Sequence, residues 1–192
     1  MGSREEILKR VAQAQPGLMP LPEPLPLSKE KASPDTFRLT LESIGGKVLT
    51  LSKDETVQEK IEAVFPQARR VVSAVPSLEV YFLKDHSEMR HHSLEDVDIA
   101  ILQARFAVAE NGAVWITEED SMIRVLPFIA EHLVVILNAE NIVPTMKEAY
   151  ERIGLDKYGF GVFIAGPSKT ADIEQSLVLG AHGPKSMTVF IS

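Results

Sequence analysis

The chain has 192 residues, 45% of them hydrophobic and 24% charged, with 20 basic and 27 acidic side chains and a formal net charge of −7. This composition is too apolar for an intrinsically disordered protein, and a chain of this length can bury a core of its own. The acidic balance also argues against a general nucleic-acid binder, which needs a basic surface to neutralise phosphates.

Cysteine is absent from the sequence. The chain therefore cannot form disulfides, use a thiolate nucleophile or hold an iron–sulfur cluster through the usual ligands. The apolar runs fall short of the roughly 18 residues of a membrane span, and the charged N-terminal residues do not resemble a signal peptide. We expect a cytoplasmic protein without a membrane span.

The first 27 residues predict a helical arm followed by a linker. Ser3 is a good N-cap, and Glu6 lies three residues later, as in a capping box. Three apolar residues follow at helical spacing: Ile7, Leu8 and Val11. Five prolines between positions 16 and 26 indicate a semi-rigid extended linker. We assign residues 28–192 to one domain. The arm either docks on that domain or contacts a partner chain.

Within the domain, helical and strand patterns alternate. Helices are predicted at residues 34–43, 54–65, 144–153 and 170–177, with a helical turn at 126–131. Strands are predicted at residues 47–51, 69–75, 97–102, 114–117, 132–138, 160–165 and 187–191. This order predicts an α/β fold: an open, mostly parallel sheet with helices on both faces. Ligands of such sheets bind beyond the carboxyl ends of strands, so loops that follow strands are the candidate sites.

The first candidate site is the run GPSKTADIE at residues 166–174, which leaves a predicted strand and opens a predicted helix. Gly166 permits close backbone approach, Ser168 or Thr170 can cap the helix, and free amides there can hold an anion. Asp172 and Glu174 place two acids near the same tip. The alternative is an ordinary strand-to-helix turn with helix-dipole acids.

Two further turns carry candidate residues. In GAHGP, residues 180–184, His182 lies at the apex, where it is either a proton shuttle or anion partner or is merely exposed. In AENGA, residues 109–113, Asn111-Gly112 requires a backbone turn with positive φ. There Glu110 is either a nucleophile or general base or simply part of the turn. The spacing of His86, His91 and His92 does not suit a metal, and we predict no metal site.

These segments occur in a familiar order. The chain contains DIAI (98–101), AENG (109–112), RVLP (124–127), HLVV (132–135), NIVP (141–144), GPSKTADIE (166–174) and LGAHGP (179–184). The set resembles the LUD-domain family over roughly residues 36–191, with the GPSKTADIE and His-Gly-Pro pair as its most specific part.

The resemblance implies a sheet similar to that of the sugar-isomerase and coenzyme-A-transferase superfamily. It also implies a role in oxidising L-lactate to pyruvate beside iron–sulfur partner proteins. With no cysteine of its own, the chain is expected to bind no cofactor, and the clusters would belong to the partners. Where the family usually has Thr-Gly-Thr after the acidic residue, this chain has Asn111-Gly112-Ala113. Glu110-Asn111-Gly112 is similar to the local motif around the glutamate nucleophile of coenzyme-A transferases. An acyltransferase, or a small-molecule sensor of the same fold, therefore stays open as an alternative to an accessory subunit.

We expect the candidate residues to converge on one pocket for a small anionic ligand. The expected catalytic residues are Glu110, Asp172 and His182. The expected ligand-binding residues are Asn111, Gly112, Gly166, Pro167, Ser168, Thr170, Glu174 and Gly183. Asp172 and His182 could form an orienting pair.

Overall fold

The computed structural model describes residues 2–17, 19–20, 22–23, 32–52, 54–84, 91–154, 157–171 and 177–192. Its helices are α1 (Ser3–Gln13), α2 (Pro34–Ser43), α3 (Val57–Val64), α4 (Glu118–Ser121), α5 (Leu126–Ile129) and α6 (Met146–Ile153). Its first strands are β1 (Lys47–Thr50), β2 (Val71–Ser73), β3 (Ile99–Gln103), β4 (Phe106–Val108), β5 (Ala113–Thr117) and β6 (His132–Leu137). The others are β7 (Ile142–Val143), β8 (Gly161–Ile164), β9 (Lys169–Ala171), β10 (Leu177–Leu179) and β11 (Ser186–Ile191).

A five-stranded parallel sheet forms the centre of the domain, in the order β1-β11-β6-β3-β2. Its middle strands are apolar on both faces. In β3, Ile99 and Ile101 pack in one cluster and Ala100 and Leu102 in the other, all fully buried. The two sides of a strand face opposite layers, so a continuous apolar run is what this position requires.

Helices cover both faces of this sheet, as the sequence predicts. Ile61 of α3 joins the cluster on one face, and Phe37 and Leu41 of α2 with Leu126 of α5 join the cluster on the other. Helix α3 begins at Val57 and not near residue 54, because Thr56 caps it through a reciprocal contact with Glu59. Helix α1 has no buried residue.

A second, four-stranded sheet was not expected from the sequence. Its order is β7-β4-β5-β8, with β4 parallel to β7 and antiparallel to β5, and β8 antiparallel to β5. Val114 and Ile116 of its inner face join the cluster that contains α2. Phe106 and Trp115 of its outer face pack with Ala149 and Ile153 of α6.

The helix predicted at residues 170–177 is wrong. Lys169–Ala171 is strand β9, which pairs antiparallel with β10, placing Thr170 opposite Val178. The backbone of Ser168 extends this pairing, since its N–H donates to Pro184 O at 2.9 Å and its carbonyl accepts from Gly180 N at 3.1 Å. Neither Ser168 nor Thr170 caps a helix, because the residue that follows each of them belongs to strand β9. Residues 172–176 lie outside the described residues.

Across the ranges given above, no helix is both long and apolar enough to cross a bilayer.

Candidate functional site

Two of the sequence-predicted turns meet at the C-terminal end of α2. Gly112 has φ +70°, and a Cβ placed there would lie 2.9 Å from Leu41 Cα of the helix backbone. A Cβ on Gly166 would lie 3.2 Å from Ile44 O, just beyond the same helix. Both glycines therefore let a turn approach α2 at backbone distance. Asn111 holds its turn by accepting the Ala113 amide at 3.0 Å through Oδ1.

The Gly-Pro-Ser and His-Gly-Pro motifs meet in a second contact. Besides the two backbone hydrogen bonds of Ser168, a Cβ on Gly183 would lie 3.1 Å from Ser168 Cβ. Pro167 and Pro184 are buried at this corner, while His182 is exposed. The structure thus brings together Gly166, Pro167, Ser168 and Gly183.

Glu110 faces a different partner. Its carboxylate accepts the Met146 amide at 2.8 Å, at the N-terminus of α6. That helix packs on the outer face of the second sheet, whereas Gly112 of the same turn contacts α2 on the inner side. The contact is a capping bond supplied from a neighbouring turn, and it stabilises the first turn of α6.

The remaining predicted residues add no catalytic pairing. Thr170 lies within β9, and Asp172 and Glu174 lie outside the described residues. Neither the Ser168 hydroxyl nor the His182 ring makes a side-chain hydrogen bond to any part of the chain that the structure describes. The expected pairing of His182 with Asp172 stays a prediction.

The Gly180–Pro184 turn leads into β11, so it lies at the amino edge of the parallel sheet and not beyond the carboxyl ends where a site was sought. A cleft of about 530 Å³ opens at this edge. Its lining includes Gly180 and Gly183 together with charged residues that precede β2, β3, β6 and β11: Arg69, Arg70, Asp96, Asp98, Glu131 and Lys185.

Most charges of this amino-edge cleft are paired. Lys185 Nζ lies 2.7 Å from Glu131 Oε1, and this hydrogen bond holds the pKa of Glu131 below its usual value. Arg70 pairs with Asp96 and donates to Ser93 O at 2.7 Å. Asp98 Oδ2 accepts the amides of Arg69 at 2.6 Å and Arg70 at 2.9 Å. Those backbone bonds lower the pKa of Asp98.

The described residues of this site offer charged and polar groups for binding. A serine nucleophile needs a base within hydrogen-bond reach, and Ser168 lacks one among the described residues. The ammonium and guanidinium groups of the cleft are paired with carboxylates, so the cleft presents a polar surface. Over the described ranges, moreover, no group of three or more His, Asp or Glu residues could hold a metal ion.

Sequence reasoning missed the charged residues at the amino edge. Each lies within three residues before an apolar strand, as Asp98 does before β3, and this is the signal that could have identified them. The general rule for open α/β sheets points instead to loops that follow strands.

Comparison with known proteins supports the fold and identifies the family. The sequence-family model of the LUD domain matches residues 74–192 of this chain. A solved structure, the crystal structure of a DUF162 family protein from Deinococcus radiodurans, superposes with a TM-score of 0.59. The two sequences are 19% identical, and the match covers 82% of this chain and 94% of the solved chain.

Several curated proteins named lactate utilization protein C are also similar. The one from Oceanobacillus iheyensis is 29% identical over 50% of this chain and 44% of its own length. The one from Halalkalibacterium halodurans is 32% identical over 52% of this chain and 47% of its own. The chain thus spans about half the length of these two relatives. The protein of that name from Deinococcus radiodurans is 26% identical over 96% of this chain and 91% of its own. The LUD-domain match covers well over half of the sequence, and the chain belongs to the LUD domain family.

Proposed function

We propose that this chain is a cytoplasmic accessory subunit of a lactate-utilisation system, in which L-lactate is oxidised to pyruvate together with iron–sulfur partner proteins. The observation that carries the proposal is the similarity to proteins named lactate utilization protein C, which in the Deinococcus radiodurans case extends over 96% of the chain. The LUD-domain match over residues 74–192 supports the same assignment.

The site supports a binding role within such a system. Its Gly-Pro-Ser and His-Gly-Pro turns are joined by backbone hydrogen bonds, and the adjoining cleft carries paired charges. The chain has no cysteine with which to ligate a cluster in the usual way, so electron transfer through iron–sulfur centres would fall to partner proteins.

The alternative, an acyltransferase with Glu110 as nucleophile, receives less support from the geometry. A nucleophilic carboxylate must be free to attack an acyl carbon. The Glu110 carboxylate instead accepts the Met146 amide at the start of α6.

Deletion and complementation test the proposal. Removing the gene should abolish growth on L-lactate but not on pyruvate, and the wild-type gene should restore it. Glu110→Gln should also restore growth, because the glutamine carbonyl can still accept the Met146 amide while it cannot form an acyl intermediate. Normal growth of the deletion strain on L-lactate would refute the proposal, and failure of Glu110→Gln with normal protein levels would favour the acyltransferase.

Partner binding gives a second test. The tagged, natively expressed protein should co-purify with cysteine-rich, iron-containing proteins during growth on L-lactate. Purification of the chain without such partners under those conditions would contradict the subunit assignment.

A further inference from the structure

A small cleft of about 220 Å³ lies beside the outer face of the second sheet, away from the amino-edge cleft. Phe106 and Trp115 form its apolar wall, Ile153 and Tyr158 border it, and two arginines, Arg105 and Arg152, line it. Among the described residues, its lining contains no carboxylate side chain, although Asp120 lies at its border, where it accepts from the hydroxyl of the lining residue Thr117 at 2.6 Å. The cleft therefore combines two guanidinium groups with an apolar wall.

Arg152 supplies the second positive charge of the cleft. It lies in the last turn of α6, where its Nη2 donates to Asn141 Oδ1 at 2.7 Å. Its guanidinium carbon lies 5.1 Å from the centre of the Phe106 ring. In the described parts of the chain, no carboxylate lies within 4.0 Å of it. An exposed arginine oriented by an amide and a ring face, but without an acid, is prepared for an anion from solution.

Arg105 is held from its other side. Its Nε lies 2.7 Å from Asp120 Oδ2 and its Nη2 lies 2.6 Å from Glu119 Oε2. These acids line a neighbouring cleft and not this one. A guanidinium has five N–H donors, so others remain after both bonds are made. The two acids fix the direction of the Arg105 side chain.

The apolar wall is fixed as well. The Trp115 ring centre lies 4.5 Å from that of Phe163 and 5.3 Å from that of Tyr158, nearly perpendicular to the latter. Gly161 makes room for it, because a Cβ there would lie 2.5 Å from the edge of the indole. A ligand with an apolar end would meet a surface that is already packed.

We propose that this cleft binds a small monocarboxylate of the lactate class, with the carboxylate held by Arg105 and Arg152 and the carbon chain lying against Trp115. The substrate class rests on the proposed function, whereas the anion site rests on the geometry. The volume of about 220 Å³ accommodates a three-carbon acid. Inorganic phosphate would satisfy the arginines but would leave the apolar wall without a partner.

The chain carries its own probe, since Trp115 is its only tryptophan. The full-length protein is titrated with L-lactate, with pyruvate and with inorganic phosphate while the tryptophan emission is followed. Equilibrium dialysis with radiolabelled L-lactate then gives the stoichiometry independently of fluorescence. We expect saturable binding of one carboxylate per chain, with phosphate binding more weakly.

Matched arginine variants locate the site. Arg152→Gln should weaken carboxylate binding at least tenfold, or about 1.4 kcal/mol, and Arg152→Lys should weaken it less, since charge is kept but the planar fork is lost. Arg124→Gln is the control. Arg124 is also exposed and lies 5.6 Å from a ring centre, that of Phe160, but it pairs with Glu118 and does not line the cleft. The affinity of Arg124→Gln for L-lactate and pyruvate should equal that of the wild type.

Three results would overturn the proposal: no saturable uptake of L-lactate or pyruvate in dialysis, tighter binding of phosphate than of either acid, or equal affinity of Arg152→Gln and wild type. Thermal unfolding of each variant verifies that the fold is retained. The binding experiment and the growth experiment can fail independently of each other. A deletion strain that cannot grow on L-lactate, combined with a cleft that binds no carboxylate, rejects only the site. Saturable binding combined with normal growth rejects only the function.

Discussion

The five-stranded and four-stranded sheets lie in one domain but differ in the length of their strands. In the five-stranded sheet, β6 and β11 have six residues each, and most of their side chains are buried between two layers. In the four-stranded sheet, β4 has three residues and β7 has two, and the edge strand β8 is only partly buried.

The difference in length explains why β4 and β7 were missed, although the sequence predicts β5 and β8 of the same sheet. A strand buried on both faces must be apolar throughout, and HLVVIL at residues 132–137 shows this directly. A two- or three-residue strand is too short to display any periodicity. Its existence depends on a partner, as β7 depends on pairing with β4.

Truncation of a central side chain tests this contrast most strongly. Leu133→Ala in β6 removes a fully buried side chain from the main cluster and should lower the free energy of unfolding by about 3–4 kcal/mol. The partly buried Val162 of β8 is the comparison, and Val162→Ala should cost about 1 kcal/mol. Denaturant unfolding measures both. Equal losses would show that the second sheet is as tightly enclosed as the first.

The second test concerns the turn that joins β4 to β5. Gly112→Ala combines a φ of +70° with a Cβ 2.9 Å from the α2 backbone, and we expect a loss of about 2–4 kcal/mol. Gly45→Ala is the matched control. Its φ is +92°, but the nearest atom to a Cβ placed there lies 3.5 Å away. The substitution should therefore introduce only backbone strain and lower the stability by about 1 kcal/mol. If thermal denaturation gives the two variants the same stability, the close approach of the turn to α2 is not the cause.

A smaller effect is expected on the outer face of the second sheet. Gly161→Ala would push against the Trp115 ring, and overpacking of this kind should cost about 1–3 kcal/mol. The change should also be visible as altered tryptophan emission and near-ultraviolet circular dichroism. A variant with wild-type spectra would mean that the indole does not rest on Gly161.

The smallest effect is expected at the amino edge of the parallel sheet, and it depends on pH. The amides of Arg70 and Arg69 lower the pKa of Asp98 in the folded state. The carboxylate therefore contributes stability that is full above the unfolded pKa of about 4 and is lost as the pH falls through the folded pKa. Asp98→Asn should cost about 1 kcal/mol or less near pH 7, and wild type and variant should converge in acid. A difference that grows as the pH falls would contradict this assignment.

The sequence by itself determined the α/β class, the long apolar strands and the capped helices, because periodicity and capping are local properties. Ser33 caps α2 through the amide of Asp35, and the predicted start at residue 34 is correct, whereas α3 begins three residues later than predicted, after its cap Thr56. It also identified the Gly-Pro-Ser and His-Gly-Pro turns, which do meet in the fold.

Only the tertiary structure decided the rest. Thr170 lies in a strand because Ser168 is engaged by Pro184 and Gly180 from another part of the chain. Glu110 serves α6 because that helix begins beside its turn, 36 residues further along the sequence. Arg105 and Arg152 line one cleft although 47 positions separate them. Contacts between residues so far apart depend on how the layers pack, and no local pattern of side chains encodes that packing.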